Sequence, residues 1–85
     1  QSYLTDSIKV KKELEEYFNK KDAYNYEVLV HRLKSESRNF GLMKLGNMFE
    51  EHQNKAKEGN WDYINKEYNN LMNEYDKAVS ILREL

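Results

Sequence analysis

The sequence predicts an all-α fold, four helices in an up-down-up-down antiparallel bundle. Three observations predict it. There is no proline, so long helices run unbroken. Apolar residues recur at alternating spacings of three and four. Short polar breaks divide the periodic stretches, which places helices at about 3–19, 23–39, 42–58 and 61–84.

The first helix is the least regular, with Leu4, Ile8, Leu14 and Phe18 on one side and Val10 and Tyr17 at its edge. After the polar stretch Asn19-Lys20-Lys21, Asp22 is an N-cap for the second helix. Its apolar line runs Ala23, Tyr26, Val30, Leu33, Ser37 and Phe40, with Leu29 beside it. Asn39-Phe40-Gly41 marks the next break, and the third helix carries Leu42, Leu45, Phe49, His52 and Ala56. Gly59-Asn60 combines a left-handed helix stop with a new cap. The last helix has the longest seam, Trp61, Ile64, Tyr68, Leu71, Tyr75, Ala78, Leu82 and Leu85. Short connections between such helices make sequential neighbours antiparallel.

Eighty-five residues make one small domain with one modest core. Without cysteine, apolar packing has to supply the stability rather than disulfides or a zinc–thiolate centre. The 39% hydrophobic and 13% aromatic content is enough for that core, and a mean hydropathy of -1.05 suits a strongly solvated exterior. No apolar run approaches the roughly 18 to 20 residues of a membrane span. Fourteen basic residues against fifteen acidic ones give a net charge of -1, without the basic excess of a nucleic-acid binder. A cytoplasmic protein without direct membrane contact is expected. The abrupt start at glutamine suggests a piece of a longer signalling protein, and the abundance of Lys, Asn and Tyr suggests a bacterial one.

His31 stands apart from the apolar line of its helix. At about 100° per residue it points roughly 140° away from the Leu29–Val30–Leu33–Ser37–Phe40 direction, on the solvent face. An exposed imidazole is nucleophilic at neutral pH without a helper base. Lys34 at i+3 and Arg38 at i+7 bring positive charge to where a transferred phosphoryl group sits. Ser35 at i+4 is small and offers a hydroxyl donor. Tyr24 and Val28 lie on the same outer side, where an isolated bundle has no use for apolar groups, and with Glu27 and Arg38 they mark a docking surface. A surface histidine among cations is also common on any charged helix.

The segment His31-Arg32-Leu33-Lys34-Ser35-Glu36-Ser37-Arg38-Asn39-Phe40-Gly41 resembles the signature of histidine-containing phosphotransfer (HPt) domains. Those show a histidine, a hydrophobic residue at +2, lysine at +3, small residues at +4 and +6, a hydrophobic residue at +9 and glycine at +10. Leu45, Phe49-Glu50 and Lys57-Glu58-Gly59-Asn60 continue the similarity, and Lys20-Lys21-Asp22 stands where the family often has Gly-Asp. The chain departs at Ser35, where many members carry glycine, and at His52, a position that is usually apolar.

The resemblance implies a phosphorelay carrier in two-component signalling, within or beside a hybrid sensor histidine kinase. A receiver domain bearing a phosphoaspartate docks around His31, whose Nε2 takes the phosphoryl group and passes it to a second receiver. Lys34 then stabilises the phosphoryl charge and Ser35 gives clearance. The receiver brings Mg²⁺, so the domain itself needs no cofactor or metal. It has no ATP site and is a carrier rather than an enzyme, expected as a monomer.

Other features have plainer explanations. His52 falls on the apolar stripe of its helix and is expected as a half-buried histidine with a satisfied hydrogen bond. Glu50, Glu51 and His52 point in different directions from a helix, so they do not gather a metal. Trp61 closes one end of the bundle. Two rival functions are a non-catalytic interaction bundle in which His31 is incidental, and the dimerising phosphoacceptor hairpin of a histidine kinase.

Overall fold

A computed structural model describes residues 2–85. Among the described residues there are four α-helices and no strand: α1 (Ser7–Asn19), α2 (Ala23–Asn39), α3 (Met43–Lys57) and α4 (Trp61–Arg83), preceded by a 3-10 turn at Tyr3–Thr5. Three of the four expected spans agree with the structure to within a residue. The first does not. Asp6 leaves the helical conformation to accept a hydrogen bond from the Lys9 N–H, and Ser2 caps the 3-10 turn through the Leu4 N–H. Two caps in succession break what apolar spacing alone joins into one helix.

The three connections between helices are one turn used three times. Lys21, Gly41 and Gly59 each take a positive φ, of 51°, 78° and 72°. In each, the next residue's N–H returns to the carbonyl five positions back: Asp22 to Tyr17 at 2.9 Å, Leu42 to Ser37 at 2.8 Å, Asn60 to Lys55 at 2.8 Å. This satisfies helix-end carbonyls that otherwise lack partners. Asp22 and Asn60 then cap the following helix by accepting from Asn25 N–H and Tyr63 N–H, whereas Leu42 has no side chain able to cap. Glycine takes the left-handed conformation freely, and Lys21 holds it at a cost of about 1 kcal/mol.

Ion pairs and ring contacts record how the helices lie. Lys11 meets Asp76 at 2.7 Å and Phe18 meets Tyr68 with ring centroids 6.3 Å apart, which lays α1 on α4. Lys44 meets Glu74 at 3.4 Å, between α3 and α4. The most extensive pairing is α2 with α3. Helix α4, rising about 1.5 Å per residue, runs most of the molecule's 37 Å long dimension.

The core contains Leu4, Val10, Leu14, Tyr26, Leu29, Val30, Leu33, Leu45, Phe49, Ala56, Ile64, Leu71, Met72, Tyr75, Ala78 and Val79. Three sequence expectations need correcting. Ile8, expected inside, is 83% exposed, because Val10, Leu14 and Tyr17 set the inner face of α1 and Ile8 lies roughly 200° from Val10. Val10, expected at an edge, is fully buried. Phe40, expected on the α2 seam, is 48% exposed, since the helix ends there and the turn carries it outward. Met72 and Val79 widen the α4 seam beyond the three-and-four stripe, and Leu85 falls past its end at 95% exposure. Trp61 lies edge-on to Phe18 at 5.9 Å and to Tyr26 at 5.5 Å, at the end of the bundle where it was expected.

Residues 2–6 are tied down across the opposite end. The Glu36 carboxylate accepts from Ser2 Oγ and Leu4 N–H, both at 2.7 Å, and from Arg32 Nε at 3.1 Å. Burial disfavours its charge, but these donors outweigh burial and hold the carboxyl below its usual range. Tyr75 Oη donates to the Leu4 carbonyl at 2.6 Å, so α4 grips the same segment from its other side.

Candidate functional site

The site is built on the middle of α2 where it lies against α3. Leu29, Val30 and Leu33 are buried and orient the helix, which leaves His31 exposed. Tyr24 is 74% exposed and Val28 52%, although both are large and apolar. Together with Glu27, His31 and Gln53 they line a shallow groove of about 300 Å³. Four of the residues singled out from sequence therefore share one surface.

Gln53 is the residue that sequence reasoning missed. It comes from α3, twenty-two positions after His31, and bridges the two chemical groups of α2. Its Nε2 lies 3.3 Å from His31 Nδ1, and its Oε1 accepts from Lys34 Nζ at 3.2 Å. Lys34 carries only donors, which fixes the amide with its oxygen toward the lysine and its NH₂ toward the histidine. His31 Nε2 has no hydrogen-bond partner among the described residues. A glutamine on a polar helix face carries no periodic signal, and only the α2–α3 contact gives it a role.

Ser35 is exposed one turn beyond His31. Arg38 is placed otherwise than its spacing suggests. Its guanidinium crosses to α3 and donates to Glu50 at 2.5 Å and Asn47 at 2.9 Å, and Glu50 is held below the usual carboxylate range by this pairing. Gly46 makes the crossing possible, because a Cβ there would sit 2.8 Å from Arg38 Cγ. Arg38 is thus engaged with α3, and Lys34 is the cation that shares Gln53 with His31.

His52 is buried more deeply than the half-buried state expected, at 2% exposure. Its hydrogen bond is present: Tyr26 Oη lies 3.1 Å from Nδ1. Burial drives its pKa down to about 4, against a smaller opposing pull from the Glu67 carboxylate, so the ring is neutral. Burial also raises the pKa of the Tyr26 phenol, which stays protonated beside the ring. Among the described residues no three His, Cys, Asp or Glu side chains converge as metal ligands, and no helix is long and apolar enough to cross a membrane.

The chain matches no protein-family model, no curated protein and no solved structure.

Proposed function

We propose that this domain is a phosphorelay carrier, accepting a phosphoryl group on His31 from the phosphoaspartate of a receiver domain and passing it to another receiver. One observation carries the proposal: His31 stands exposed, with Nε2 unpartnered among the described residues, in a groove edged by exposed Tyr24 and Val28 and with the Lys34 ammonium one amide away. The resemblance to histidine-containing phosphotransfer domains along residues 31–41 supports the same chemistry.

In the transfer, Nε2 attacks phosphorus in line and the P–O bond to the aspartyl carboxylate breaks, with the electron pair leaving on the carboxylate oxygen. Lys34 meets the charge on the phosphoryl oxygens. Tyr24, Glu27 and Val28 form the seat for the receiver, and Ser35 leaves room for it. Mg²⁺ belongs to the receiver's acidic pocket in this scheme, and the carrier needs neither a cofactor nor ATP. An up-down-up-down bundle acting as a monomer in the cytoplasm, alone or as part of a sensor kinase, completes the proposal. The pairings of α1 with α4 and α2 with α3 support that topology.

The test is phosphotransfer from a receiver charged with a small acyl phosphate. The expected product is acid-labile, alkali-stable label on the wild-type chain and none on His31→Gln. Equal labelling of both chains would overturn the assignment of His31, and no label on either, across several receivers, would favour an interaction bundle.

A further inference from the structure

The two hydrogen bonds of Gln53 conflict with attack by Nε2. A neutral imidazole has one N–H and one in-plane lone pair. With the Gln53 oxygen turned to Lys34, its NH₂ donates to His31 Nδ1, so the Nδ1 lone pair is engaged and the ring proton sits on Nε2. In that form Nε2 has no lone pair to offer phosphorus. The resting arrangement holds His31 in the unreactive tautomer, and Lys34 holds the arrangement.

We propose that Gln53 is a two-position positioning residue, and that withdrawal of Lys34 from its amide oxygen arms His31. The inference rests on the phosphocarrier assignment of His31. An incoming acyl phosphate draws the Lys34 ammonium onto its phosphoryl oxygens. The freed amide is then able to turn end for end, so that Oε1 faces the ring. The ring proton moves through water from Nε2 to Nδ1, where Oε1 accepts it. Nε2 now carries the lone pair and forms the N–P bond as the P–O bond to the carboxylate breaks. The proton remains on Nδ1, bonded to Gln53, and none is gained or lost in the transfer. Lys34 thereby couples the arrival of substrate charge to the nucleophile, by moving from the amide oxygen onto the phosphoryl oxygens. The coupling turns on a single exchanged hydrogen bond, which biases the tautomers by about three- to tenfold and is lifted when the lysine leaves.

Tautomers are read directly by ¹H–¹⁵N correlation of the His31 imidazole in the whole 85-residue chain, without a receiver, at about pH 8, where imidazole is neutral. The wild type should hold the Nε2–H form over the Nδ1–H form by about threefold more than Gln53→Ala does. Lys34→Ala, which frees the amide, should return the ratio toward that of Gln53→Ala, and Gln53→Glu, whose carboxylate only accepts, should carry it past that value toward Nδ1–H. A common ratio in wild type and Gln53→Ala, or an unchanged one in Lys34→Ala, would overturn the clamp. Rates of transfer from a charged receiver separate the two proposals. Gln53→Glu should accept faster than wild type. Wild-type transfer with unshifted tautomers removes the clamp alone, and shifted tautomers with no transfer to any chain remove the phosphocarrier assignment.

Discussion

His31 and His52 sit on the two helices in closest contact, and the fold treats them in opposite ways. His31 is exposed, meets a neutral amide and leaves one nitrogen open. His52 is 2% exposed, shares a hydrogen bond with a buried phenol and stays neutral far into acid. Both are imidazoles on amphipathic helices, so residue type does not tell them apart. Angular position does: His52 lies in the line with Leu45, Phe49 and Ala56, and His31 lies well away from Val30 and Leu33. An imidazole in the core serves as a polar brace, and one on the outer face is available for chemistry.

The largest effect that tests this contrast is on transfer. His31→Gln should abolish phosphoryl acceptance while shifting unfolding free energy by no more than about 0.5 kcal/mol, as expected for an exposed site. Phosphotransfer and urea melts on the same sample would show it, and a strongly destabilised variant would count against a purely chemical role.

His52→Ala should do the reverse, retaining transfer and losing about 4 kcal/mol, from the cavity and from the Tyr26 hydroxyl left without its partner. Denaturant unfolding measures the loss. A cost below about 1 kcal/mol would mean that the brace is incidental.

Acid should reveal the brace in the unaltered protein. Folding keeps His52 neutral down to about 4 against an ordinary 6.5, so between those values the unfolded chain binds more protons than the folded one. Stability from this group is complete above 6.5 and falls as pH drops, by up to about 1.4 kcal/mol per pH unit and about 3 kcal/mol by pH 4. Urea melts at pH 7, about 5.5 and about 4.5 should show that slope, and His52→Gln should flatten it. Glu36 and Glu50, both held below the usual carboxylate range, lose their contributions only further into acid and do so in both chains.

The smallest effect is on the brace's partner. Tyr26→Phe should cost about 1 kcal/mol, with transfer through His31 unchanged, because it removes one buried hydrogen bond and little volume. Thermal unfolding beside a transfer assay checks both parts.

Much of this contrast is legible in the chain before folding. The helical period separates His31 from His52, and Asp22, Gly41 and Gly59-Asn60 mark turns where the structure has them. Local signals were less decisive at the start of the chain, where the apolar spacing of Leu4 and Ile8 suggests a continuous helix. Asp6 and Ser2 turn their side chains back onto the backbone there, and Glu36, some thirty residues away in sequence, holds the segment in place.

Local sequence is enough to place the last three helices, their stops and the outward face that carries Tyr24, Val28 and His31. These depend on period, capping and glycine conformation, all of which act within a few residues. Packing of α2 on α3 is what joins Gln53 to both His31 and Lys34, carries Arg38 over Gly46 to Glu50, and sets Tyr26 against His52. Each depends on which turn of α3 lies beside which turn of α2. That register is set by the shapes of many buried side chains together, and no single stretch of sequence contains it.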